Sequence, residues 1–111
     1  MKTLEEFWPY YVAQHLNATN RTLHFVGTNL GLMLGVAALA LRRPSLLGAG
    51  LAVAYGFAWV GHFFFERNTP ATFRHPVLSF RADLRMWRLM WIGAMPGELG
   101  RLSAELRRLR A

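Results

Sequence analysis

Two stretches of the chain carry no formal charge. Thr22 to Leu41 reads TLHFVGTNLGLMLGVAALAL, and Leu46 to Phe65 reads LLGAGLAVAYGFAWVGHFFF, with Arg42-Arg43-Pro44-Ser45 between them. As helices at about 1.5 Å per residue, each would reach roughly 30 Å, the thickness of a bilayer's hydrocarbon core. Two buried helices of a small soluble bundle would normally show a polar face, and residues 30–41 and 46–61 have almost none. The pattern predicts an all-α fold, an integral membrane helical hairpin of two spans (about 22–41 and 46–65) joined by a tight turn.

The flanks read differently. Thr3 with Glu6 fits a capping box that opens a short aromatic-rich helix over residues 4–16, which Pro9 is expected to kink or restart. Residues 78–94 mix Arg81, Arg85 and Arg88 with Leu84, Trp87, Met90 and Trp91. Beyond Pro96-Gly97, residues 98–110 set Leu99, Leu102, Leu106 and Leu109 on one stripe beside Arg101, Arg107, Arg108 and Arg110. Both segments fit amphipathic helices lying in the membrane interface, and the Trp-rich one also fits a third, partial span packed back on the hairpin. Residues 1–111 are read as one membrane-embedded helical domain. Within it, Gly27, Gly31 and Gly35 recur every fourth residue on the first span, and Ala54, Ala58 and His62 do so on the second. Small residues so spaced let backbones approach closely, within the hairpin or between copies in a homo-oligomer.

Charge narrows the partners. The chain has 13 Lys+Arg against 6 Asp+Glu, a formal +7, and nine of the thirteen basic residues lie from Arg67 onward. An acidic partner follows, and two spans make anionic lipid headgroups nearer than nucleic acid, which is not expected as a partner. The basic excess places both termini on the cytoplasmic side, with the Arg42-Arg43 turn opposite. The start MKTLEEFWPYY has acids and aromatics where the apolar region of a cleavable signal would stand, so none is expected.

There is no cysteine. A disulfide scaffold, a thiolate zinc site, an iron–sulfur cluster and a cysteine nucleophile are therefore excluded, and a metal would be held by imidazole, carboxylate or amide groups. The chain has four histidines, His15, His24, His62 and His75, none in the middle of a span. His24 and His62 stand at nearly equal distance, about nineteen residues, on either side of the turn, so a hairpin brings them to one depth. Asn20 and Glu66 lie one helical turn beyond them on the same faces. His15 and His75 lie farther out, where each could fold over the hairpin mouth. Four imidazoles suit Fe, Zn, Ni or Cu, and four allow one metal ion per chain at most. No serine has an elbow motif around it, and the glycine series lacks the lysine of a nucleotide loop.

Two motifs carry a resemblance. Y-x3-H-x4-NR-x2-H-x2-G runs through Tyr11, His15, Asn20, Arg21, His24 and Gly27, and AW-x-GH-x3-E-x3-PA through Ala58, Trp59, Gly61, His62, Glu66, Pro70 and Ala71. With the tail ATFRHPVLSFRADLRMW, residues 5–92 resemble the small membrane family of 2-hydroxy fatty acid dioxygenases. That family's fungal member acts in phytosphingosine breakdown, and many bacterial members are known only as a domain of unknown function. The resemblance implies an Fe(II)-dependent, 2-oxoglutarate-independent dioxygenase of fatty acid α-oxidation. Its substrates would be a 2-hydroxy fatty acid and dioxygen, its product the acid one carbon shorter. It further implies iron ligands at His15, His24, His62 and His75, and residence in the inner membrane of a bacterium or the endoplasmic reticulum of a eukaryote. A 2-hydroxy acid chelates iron through its carboxylate and hydroxyl. On that reading His24 and His62 serve catalysis, Asn20 or Glu66 orients a ligating imidazole, and Arg21 or Arg74 holds the substrate carboxylate. For Glu66 a salt bridge with Arg67 or Arg74 competes with that role, and for Arg21 a contact with lipid phosphate. Two other classes remain open: a non-catalytic membrane assembly or lipid-binding module, and a zinc-dependent lipid hydrolase that works without oxygen.

Overall fold

The computed structural model describes residues 2–110. It is all-helical and has no strand among the described residues: α1 (Leu4–Ala13), α2 (Ala18–Ala40), α3 (Ser45–Val60) continuing into a π-helical turn (Gly61–Glu66), a 3-10 turn (Ala71–Phe73), α4 (Pro76–Trp91), α5 (Met95–Arg101) and α6 (Ser103–Arg110). Two segments are long and apolar enough to cross a membrane, Ala18–Leu41 and Ser45–Glu66. The residues divide into two compact units, Asn17–Arg67 and residues 1–16 with 68–111.

The first unit is the hairpin. Helix α2 begins at Ala18, earlier than the charge-free run, because the side chain of Asn17 accepts a hydrogen bond from the Asn20 N–H and caps it. At the far end Arg42 takes a left-handed conformation (φ 53°), the Arg43 N–H bonds to the Ala38 carbonyl, and Pro44 leads into α3. Between the helices Gly27 and Gly31 do what their spacing suggested. A Cβ at Gly27 would lie 2.7 Å from that of Phe57, and one at Gly31 would lie 3.0 Å from the Gly50 carbonyl oxygen and 3.2 Å from the Ala54 Cβ. Gly35 is looser, its nearest neighbour being a Leu47 methyl at 4.0 Å. Within the hairpin Gly27 and Gly31 thus pack against α3. The outward residues are apolar: Met33, Val36 and Leu39 expose 66%, 66% and 78% of their surface, the reverse of a water-soluble pattern.

The second unit has a conventional core. Phe7, Trp8, Tyr11 and Val12 of α1 are buried with Ala82 and Met86 of α4, Met95 of α5, and Leu102 and Leu106. Thr3 caps α1 as the capping box predicts, its hydroxyl oxygen accepting from the Glu6 N–H. Pro9 does not restart α1, which runs through it as one helix to Ala13 and then stops, short of residue 16. A proline inside a helix removes a backbone hydrogen bond, a loss set against the burial of Phe7, Trp8, Tyr11 and Val12. Helix α4 starts at Pro76, whose fixed φ suits the first helical turn. The expected single helix over 98–110 is instead two, parting at Leu102. Its leucine stripe is divided: Leu102 and Leu106, 5% and 6% exposed, join the core cluster of Phe7 and Trp8, whereas Leu109 is 46% exposed.

Candidate metal centre

The hairpin supplies a histidine pair. His24 follows Asn20 by one turn of α2, and both are buried. The His24 Nδ1 is 3.0 Å from the Asn20 carbonyl oxygen, which can only accept. Nδ1 therefore carries the hydrogen and Nε2 the lone pair, the arrangement in which a backbone carbonyl orients a metal-binding imidazole. His62 comes from the π-helical turn that ends the second span, and it is 2% exposed. A π turn widens the helix by one residue and shifts the faces that follow, a feature common at functional sites. The two rings meet edge to face, centroids 4.9 Å apart and planes at 85°.

Asn20 and Glu66 hold this pair in place. One Glu66 carboxylate oxygen accepts from the Asn17 N–H at 2.8 Å and from the Asn20 Nδ2 at 3.1 Å. Glu66 thus ties the end of the second span to the start of the first, and it takes these bonds in place of a salt bridge to Arg67. Gly61 admits Asn20: a Cβ there would stand 2.0 Å from the Asn20 Oδ1. That oxygen is buried without a hydrogen bond. Arg21, the next residue on α2, is half-buried.

In the other unit, His15 lies just past α1 and is 1% exposed. Its Nδ1 lies 2.6 Å from the Tyr11 carbonyl oxygen, which again leaves the lone pair on Nε2. Its ring stacks on that of Tyr11, centroids 3.9 Å apart at 21°, and Tyr11 stacks in turn on Trp8 at 5.6 Å and 14°. The Tyr11 hydroxyl donates to Asp83, a pair of residues that the sequence reading did not single out. Burial pushes the Asp83 carboxyl up to about 7, against the pull of the Tyr11 hydrogen bond. Burial, then the Asp83 charge, raises the Tyr11 phenol well above its ordinary value. The Y-x3-H spacing was the available signal for Tyr11, since residues four apart share a helix face.

His24 and His62, both buried, bring two imidazoles together inside the hairpin, and His15 is a buried imidazole of the other unit. The donor type fits a metal ion: imidazole suits Fe, Zn, Ni or Cu, and His15 and His24 each have a tautomer fixed by a backbone carbonyl. His75, the fourth ligand expected from the resemblance, belongs to the same unit as His15. It stands at the start of α4 with its ring packed on Phe7 (5.3 Å) and Tyr10 (6.3 Å). Its place before Pro76 makes it part of a helix entrance, where its ring covers core aromatics. Arg74, beside it, is exposed.

This is a helical chain with two candidate membrane spans and three buried histidines, two of them paired inside the hairpin. The family model of the Mpo1-like proteins, described as 2-hydroxy-palmitic acid dioxygenase Mpo1-like, matches residues 1–95, and the chain belongs to that family. No curated protein and no solved structure matches it.

Proposed function

We propose that this protein is an Fe(II)-dependent, 2-oxoglutarate-independent dioxygenase of fatty acid α-oxidation, which converts a 2-hydroxy fatty acid to the acid one carbon shorter. The observation that carries the proposal is the buried, edge-to-face pair of imidazoles His24 and His62 in a chain of this family. On this reading the metal ligands are His24 and His62, with His15 as a further imidazole, and His24 offers its Nε2. Iron, when bound, supplies the redox chemistry with dioxygen that no side chain of this protein can provide. The protein's own part is positional. The Asn20 carbonyl fixes the orientation of His24, and Glu66 holds Asn20 by its amide. Arg21 or Arg74 would bind the substrate carboxylate, leaving the acyl chain to the apolar surface of the spans. We place the hairpin in a membrane with both termini on the cytoplasmic side. The bare outward side chains of α2 and the arginine-rich tail support that placement.

The test is anaerobic purification in detergent, elemental analysis, and oxygen uptake on 2-hydroxypalmitate with and without iron. One O2 consumed per acid, with carbon dioxide and water as the balancing products and the acid one carbon shorter released, is the expected result. Turnover that needs zinc and no oxygen would instead make the site a hydrolase. Metal-free protein without turnover across several chain lengths would leave a lipid-binding module.

A further inference from the structure

Helix α4 buries one side and bares the other. Ser79, Ala82 and Met86 face the core of their unit, whereas Val77, Phe80 and Trp91 are 69%, 49% and 60% exposed. With Leu84 and Trp87 these residues follow intervals of three and four, one stripe of an amphipathic helix whose apolar stripe looks outward. Arg81 and Arg88 flank that stripe, and both are exposed. Together with Leu4 of α1, the residues Arg81, Leu84, Arg85, Trp87 and Arg88 line a groove of about 470 Å³.

The three arginines are not equivalent. Arg85 pairs with Glu5 at 2.6 Å and lies over the Trp8 ring at 5.2 Å, so its charge is already used within the unit. Neither Arg81 nor Arg88 has a carboxylate at ion-pair distance among the described residues. A groove with two uncompensated guanidinium groups and a leucine–tryptophan wall matches a ligand that is anionic at one end and apolar at the other. The same chain has two segments able to cross a bilayer, which makes the bilayer's own lipid the available amphiphile.

We infer that the outward face of α4 is a docking surface for anionic phospholipid. Arg81 and Arg88 hold the headgroup phosphate, and Val77, Phe80 and Trp91 enter the upper acyl region. Arginine suits the first task because its planar fork meets two phosphate oxygens at once. The inference is independent of what happens at the histidines.

The test uses the full-length protein in mild detergent, titrated with phosphatidylglycerol or with phosphatidylcholine of the same acyl chains and read by native mass spectrometry. Wild type is expected to retain phosphatidylglycerol at least about tenfold better, a preference of the size that two arginines near a headgroup can confer. R81Q with R88Q should weaken phosphatidylglycerol binding by about 25-fold, roughly fivefold for each arginine. R81K with R88K should keep most of it, and R42Q with R43Q, which removes equal charge at the hairpin turn, should change it little. Both positions are exposed, and circular dichroism melting checks that the variants fold. Equal binding of the two lipids, an R81Q/R88Q protein that binds as wild type, or equal loss in R42Q/R43Q would overturn the inference. So would displacement of the lipid by millimolar inorganic phosphate, which would make the groove a site for free anions.

Discussion

His24 and His62 lie edge to face with their ring centroids 4.9 Å apart, brought there by one hairpin and both buried. Two imidazoles at this distance can share a bound cation. His24→Ala and His62→Ala are each expected to reduce transition metal from about one per chain to below about a tenth, read by elemental analysis of protein purified without chelator. His75→Ala should retain the metal, since that ring packs on Phe7 and Tyr10. A chelator should lower the melting temperature of wild type and leave that of His24→Ala unchanged.

Gly61 and Gly56 make a matched pair of substitutions. A methyl group at Gly61 would stand 2.0 Å from the Asn20 Oδ1, whereas one at Gly56 would meet nothing within 4 Å. Gly61→Ala should destabilise by about 1–3 kcal/mol and weaken metal binding, because Asn20 must move and its carbonyl orients His24. Gly56→Ala should stabilise by about 0.5–1 kcal/mol, the gain of alanine over glycine inside a helix. Unfolding in detergent and metal content distinguish the two.

Glu66 accepts two hydrogen bonds from the start of α2, from the Asn17 N–H and the Asn20 amide. Glu66→Ala leaves those donors without an acceptor and should cost about 1–3 kcal/mol. Glu66→Gln keeps an acceptor oxygen and should cost less. The order wild type, Gln, Ala in melting temperature, with faster amide exchange at Asn17 in the Ala variant, is the expected outcome.

Asp83 gives the second unit a pH dependence. Its carboxyl titrates near 3.8 in an ordinary setting and is pushed up to about 7 by burial. The folded chain then binds more protons than the unfolded one between those values. Stability should therefore fall as pH rises from about 4 to about 7 and level off above, with a slope of at most about 1.4 kcal/mol per pH unit. Asp83→Asn should flatten the profile. Tyr11→Phe removes the hydrogen bond that favours the charged carboxylate, and should move the levelling point to higher pH. Melting temperature against pH checks both.

The particulars show where reading the chain reached its limit. Asn17 could be seen as a break, but its capping of α2, which lengthens the span, needed the Asn20 N–H in place. The leucine stripe of residues 98–110 was legible as a stripe, yet an apolar face does not say whether protein or lipid covers it. The structure turns Leu102 and Leu106 inward. His75 was legible as a residue just beyond the Pro70 turn, but its packing on Phe7 depends on where α1 and α4 meet. The Tyr11–Asp83 hydrogen bond joins positions 72 residues apart, beyond any local pattern.

The amino-acid order alone determined the two spans, the turn between them, the small-residue contact at Gly27 and Gly31, and the common depth of His24 and His62. Each follows from helix rise and side-chain period, which are local quantities. Tertiary structure decided which histidines are buried, what holds Asn20, which of the second unit's leucines face its core, and which arginines on α4 are left uncompensated. Those depend on contacts between segments distant in the chain, where burial and hydrogen bonding choose among partners that local periodicity leaves equivalent.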